Sequence, residues 1–278
     1  VPLAALAACG GTTAQQAFLD AAPSYSGLAM DQVAADSTAP TANPLALTAA
    51  SPQAMMAGDC HPHLFIRTHE VVARVNRHLY AFLGLVEFVI AHDPQVATDG
   101  KHVWERTLPD GVTVRFTMTR SGDDFSWLLQ AAPPGGAILE LFSGTINRSG
   151  ATGPHQGTGT MRLDLDHLHA IFPAEPATGV VSAGFALTSA SRHVVVDAAQ
   201  VAWAVDPAML PPMADPTAAI AVLSALEQPR SGHYVFFREF GKGGSLKVKD
   251  QMVFLCPSNA TYKLADSMVV DRWFRDPV

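Results

Sequence analysis

The sequence predicts a mainly β protein of the α+β class: a large antiparallel sheet or half-barrel of about ten strands, with one long amphipathic helix across its concave face. Three observations lead there. Apolar residues at three-and-four spacing run from His63 to His92. A period of two then sets in and recurs to the C-terminus, and turn residues interrupt it at short intervals without intervening helical stretches.

The helix comes first. Leu64, Val71, Val72, Val75, Leu79, Phe82, Leu83, Val86, Val89 and Ile90 form one wide apolar face, with Arg67, Arg74, Arg77 and Glu70 on the wet side. Pro62 suits the first turn and Asp93-Pro94 ends it. Such a helix spans roughly 40 Å, enough to cross a whole sheet.

In the first clear strand, Val112, Val114, Phe116 and Met118 alternate with Thr113, Arg115, Thr117 and Thr119. Leu108-Pro109-Asp110-Gly111 and Ser121-Gly122-Asp123-Asp124 supply turns on either side. The expected strands are Lys101–Thr107, Val112–Thr119, Phe125–Gln130, Ala137–Ile146, Gly157–Leu165, Val180–Leu187, His193–Val205, His233–Phe240, Leu246–Cys256 and Thr261–Val270. Two short helices, Asp166–Phe172 and Asp215–Gln228, interrupt them. Tyr234, Phe236, Phe237 and Phe240 occupy both strand faces, which predicts a strand buried on both sides.

Leu6-Ala7-Ala8-Cys9-Gly10 resembles the lipobox of bacterial lipoproteins, a small-residue cleavage site before an obligatory cysteine. The resemblance implies that residues 1–8 are the remnant of a signal peptide and that Cys9 carries lipid such as palmitate. It implies a lipoprotein of the bacterial cell envelope, held at the membrane by its anchor; Gly10, rather than Asp, is compatible with the outer membrane. Residues 9–58, rich in Ala, Thr, Ser, Pro and Gln, then read as a flexible tether. Tyr25–Met30 is a possible first strand within 25–34, and Met55 and Met56 are possible pegs. Residues 59–278 form a single β-rich domain containing helix 63–92.

With Cys9 lipidated, Cys60 and Cys256 remain as an even pair in an oxidising compartment. A bridge between them is worth somewhat over ~4 kcal/mol in the chain-entropy account; two separately buried thiols are the alternative. No apolar stretch is long enough to span a membrane as a helix. A net charge of −7 argues against nucleic acid and against an electrostatic grip on anionic lipid.

The order of elements, with the strand Gly157-Thr158-Gly159-Thr160-Met161-Arg162-Leu163-Asp164-Leu165-Asp166, is similar to the half-barrel of Lol-type lipoprotein carriers. The resemblance carries no binding residue across. A concave apolar face partly covered by the helix leaves a cleft for an apolar ligand, an acyl chain or lipid, as in a non-enzymatic carrier or binder; its expected lining is Val75, Leu79, Phe82, Val86, Val114, Phe116 and Met118. A structural or partner-binding lipoprotein is the alternative.

Sites for chemistry are few, and neither cofactor nor catalytic residue is expected. Cys60, His61, His63 and His69 form the densest set of metal-ligand types and give a metal-binding alternative; helix-start histidines beside a disulfide are the preferred reading, since Cys60 is needed for the bridge. Asp164 and Asp166 are expected on one side of a strand, with Asp166 able to cap the following helix. His155, His167 and His169 read as surface residues. Gly-x-Ser-x-Gly is absent, and Gly241–Leu246 reads as a hairpin loop rather than a phosphate loop.

Overall fold

The computed structural model describes residues 13–30, 61–62, 64–202, 229–240, 242–256 and 261–274. These build one 12-stranded antiparallel sheet with a few helices. The strands are β1 (His61–Pro62), β2 (Val96–Thr98), β3 (Lys101–Thr107), β4 (Thr113–Ser121), β5 (Asp124–Ala132) and β6 (Leu139–Asn147). There follow β7 (Gly157–Asp164), β8 (Thr178–Leu187), β9 (Ser191–Ala202), β10 (Arg230–Glu239), β11 (Gly243–Cys256) and β12 (Thr261–Phe274). From β2 to β12 neighbours in sequence are neighbours in space, the plain meander that short turns between alternating segments dictate. The ten expected strands are all present; β1 and β2, of 2 and 3 residues, are too short to show a period.

The sheet is open. At one end, β2 covers the first part of β3, and the Gln95 side chain covers the next. Its amide donates to the Glu105 carbonyl at 2.8 Å and accepts from the Glu105 N–H at 2.7 Å, so a side chain imitates a strand and blunts the edge. At the other end, Leu255 of β11 pairs with Tyr262 on one side and His61 on the other. Because β10 uses only Gly243–Asp250 of β11, β1 takes up β10's line beyond its end.

Register sorts the two faces of the sheet. One row runs His102, Met118, Trp127, Gly144, Met161, Ala183, Val196, Tyr234; the next runs Phe125, Ile146, Gly159, Phe185, Val194, Phe236. Both belong to the core face. The glycines are there for packing: a Cβ on Gly144 would lie 2.7 Å from the Trp127 ring, and one on Gly159 would lie 1.9 Å from the Thr145 carbonyl oxygen and 2.7 Å from Phe185. Trp127 and Phe185 stack across the space so left, 6.3 Å between centroids. In β10 only one face is buried. Tyr234 and Phe236 are inside, whereas Phe237 is 38% exposed and Phe240, just past the strand, 42%. The expectation of burial on both sides is therefore corrected.

Helix α3 (Leu64–Ile90) has contacts with β3, β4 and β11. Its buried residues Val75, His78, Leu79, Phe82, Leu83, Val86 and Val89 repeat at three-and-four spacing, and the apolar ones join the single core. The short α4 (Leu165–Ile171) packs on β6 and β8. Its cap is Asp164, which accepts from the His167 N–H at 3.0 Å, and not Asp166, whose carboxylate accepts from the Gly179 N–H at 2.9 Å. The two carboxylates thus do not share a strand face. The helix expected at 215–228 lies outside the described residues.

The N-terminal stretch departs most from expectation. Thr13–Ala21 is a helix (α1) and Tyr25–Leu28 a short one (α2), capped by Ser24; no strand forms over 25–30. Far from a loose tether, residues 13–30 are held at many points. Phe18 is fully buried, stacked on His102 at 4.0 Å and edge-on to Phe125 at 5.6 Å. The His155 ring nitrogen Nδ1 lies 2.7 Å from the Ala22 carbonyl oxygen. Met30 exchanges two 2.8 Å hydrogen bonds with the Asn76 side chain of α3, and the buried Arg192 donates to the Ala29 carbonyl. The remaining tether residues, 31–58, lie outside the described residues.

His102 couples this strap to pH. Burial lowers its pKa below the usual 6.5, against a smaller upward pull from a hydrogen bond to the Thr98 backbone. Between the folded and unfolded values the unfolded chain binds more protons, so stability is held above about pH 6.5 and lost as pH falls through the folded value. Melting curves from pH 8 to 5 should show a smaller acid loss for His102→Gln than for the wild type. Equal losses would mean that His102 contributes nothing to acid sensitivity.

Candidate functional site

The residues expected to line a ligand cleft are brought together, but as solid core. Phe82, Val86, Val114, Phe116 and Met118 are 0% exposed, Leu79 1% and Val75 4%. An unfilled cavity wide enough for an acyl chain would leave accessible surface on its walls, and these side chains have almost none. Ring contacts fill the neighbourhood: Phe82 lies 6.0 Å from Phe142, and Trp104 5.9 Å from Phe116.

The open site is on the opposite face of β3–β5. Outward positions there form two rows by register, Glu105–Arg115–Gln130 and Val103–Thr117–Leu128. They line an open recess of about 490 Å³ whose apolar members are Val103 and Leu128. Its rim is polar: Gln95, Lys101, Glu105, Arg115, Thr117 and Gln130. Arg115 Nε donates to Glu105 Oε2 at 2.6 Å, and the Gln95 clamp holds the Glu105 backbone, so this pair is built into the edge of the sheet. Among the described residues, the Lys101 ammonium, the Thr117 hydroxyl and the Gln130 amide make no side-chain hydrogen bond. Hydroxyls continue the surface beyond the rim: Thr119 and Ser126 are 2.6 Å apart, Thr145 and Thr160 3.0 Å. Period-two alternation in β4 already marks Arg115, Thr117 and Thr119 as outward. Nothing in one strand's pattern tells that Glu105, Arg115 and Gln130 meet, because that depends on register.

The other candidates resolve differently. His167 Nδ1 faces the Glu140 carbonyl oxygen at 2.8 Å, and His169 Nδ1 the Glu175 carbonyl oxygen. Both therefore fasten α4 to its surroundings. His78, buried on α3, places Nε2 3.1 Å from the Glu175 carboxylate and ties the helix to the same loop. Among the described residues no three His, Cys, Asp or Glu side chains are close enough to hold a metal ion. Cys9, Cys60 and His63 lie outside the described residues, as do the side chains of His61, His69 and Cys256. Register does constrain the cysteines' neighbours: His61 is opposite Leu255 and Pro62 opposite Phe254.

No protein-family model, no curated protein and no solved structure matches this chain.

Proposed function

We propose that this protein is a non-enzymatic lipoprotein of the bacterial cell envelope, anchored through acyl chains on Cys9, that presents the outer face of its sheet to a partner. One observation carries the choice of face: the inner side is filled by core residues, while the outer side of β3–β5 holds the recess with unused polar groups. In this reading α3 lies across the inner face of a half-barrel and serves as its lid of packing, supported by its buried Val75, Leu79, Phe82 and Val86. Carriage of an acyl chain or lipid in that space requires α3 to lift away and expose this core.

The strap changes what an anchor would do. Cys9 precedes the first residue of α1 by four positions, a reach of at most about 15 Å. A lipidated Cys9 therefore holds the domain against the bilayer surface, not at the end of a long leash. No described helix is long and apolar enough to cross a membrane, and the net charge of −7 gives no pull towards anionic headgroups, so attachment rests on the acyl chains.

Expressed behind a complete signal sequence in a bacterium with a lipoprotein pathway, the wild type should sediment with membranes, and Cys9→Ser should be soluble or unprocessed. A wild type found in the soluble fraction, or a Cys9→Ser variant still bound to membranes, would overturn the anchor.

A further inference from the structure

We propose that the recess over β3–β5 binds a carboxylate-bearing sugar, as part of an acidic polysaccharide chain; this deepens the reading in which the outer face acts. Three features of the recess point to that chemistry. Its charge is opposite in sign to that of the whole protein: Lys101 and Arg115 face a single carboxylate, Glu105, in a chain of net charge −7. Glu105 occupies only Arg115 Nε, leaving the outer N–H groups of the guanidinium, and the Lys101 ammonium on the same recess, to receive an oxyanion.

The second feature is the neutral polar set. The Thr117 hydroxyl and Gln130 amide can each donate and accept, which is what sugar hydroxyls need, and neither is occupied by a neighbour. Third, the apolar members of the recess are Val103 and Leu128, a small patch suited to the C–H face of a sugar ring rather than to a fully hydrated ion. Thr119 and Ser126 lie in the row next to Thr117, and Thr145 and Thr160 continue that row over β6 and β7, so the hydroxyl surface extends in one direction from the recess. A chain of sugars, one acidic unit seated in the recess and its neighbours on the hydroxyl rows, uses the whole arrangement.

The test is titration calorimetry on the soluble Cys9→Ser chain, with an oligogalacturonate and with an uncharged oligosaccharide of equal length. We expect saturable binding of the acidic oligosaccharide that weakens with added salt, and at least about tenfold weaker binding of the neutral one. Lys101→Ala and Arg115→Ala should each weaken binding by about tenfold. Lys249→Ala, a lysine on the same face but far across the sheet, should leave it unchanged. Arg115→Ala also breaks the Glu105 pair, so Lys101→Ala, whose ammonium holds no other side chain, decides if the first variant is unstable. Equal binding of the neutral sugar, indifference to Lys101→Ala, or no binding of either sugar would overturn the proposal. None of these outcomes touches membrane anchoring, which is read from fractionation alone.

Discussion

Phe18→Ala is expected to destabilise the protein by about 3–5 kcal/mol, as large a loss as truncating any aromatic of the sheet. The reason is its place: 0% exposed, stacked on His102 and edge-on to Phe125, with Trp104 5.3 Å beyond the histidine. Removing the ring opens a cavity between the strap and β3–β5 that neighbours on rigid strands cannot close. It also leaves the ring of His102, whose Nδ1 has no hydrogen-bond partner among the described residues, beside that cavity. Urea unfolding measures the effect. A change within about 0.5 kcal/mol, the size expected for a surface or tether residue, would contradict the packing of the strap.

The disulfide is expected to have the second large effect. We propose a Cys60–Cys256 bridge because these two cysteines remain as an even pair once Cys9 carries lipid, in a compartment where disulfides persist. Such a bridge needs the two Cα atoms within about 4.4–6.8 Å of each other. Closing so long a loop is worth about 4–5 kcal/mol in the chain-entropy account. Oxidised protein should lack free thiols at these positions in peptide mass analysis, and Cys256→Ser should lower its stability by that order. Two free thiols in protein purified from an oxidising compartment would contradict the bridge.

What the sequence revealed follows from the range of the interactions involved. The strands of the meander and helix α3 are legible because period two and period 3.6 are properties of a few consecutive residues, and turns such as Pro109-Asp110-Gly111 are local. The glycines of β7 are visible as an oddity, but the reason for Gly159 is across the sheet, where Phe185 lies 2.7 Å from the place a Cβ would take. The strap was hidden for the same cause. Ala-rich, Pro-punctuated sequence with a single Phe reads as tether, and only the nest formed by His102 and Phe125 shows why Phe18 orders it. The recess was equally invisible: Glu105, Arg115 and Gln130 come from three strands, and only register makes them neighbours. The residues expected to line a cleft are buried, and no pattern of hydrophobic residues encodes whether such an apolar face walls a cavity or fills it.

The proposal that the outer face of the sheet acts requires the inner face to be core. Titration of the soluble Cys9→Ser chain with a fluorescent fatty-acid analogue tests this most directly. No saturable binding is expected, because Leu79, Phe82, Val86, Phe116 and Met118 are buried in the core. Stoichiometric binding that Leu79→Trp abolishes would contradict it and restore the reading of an apolar-ligand carrier.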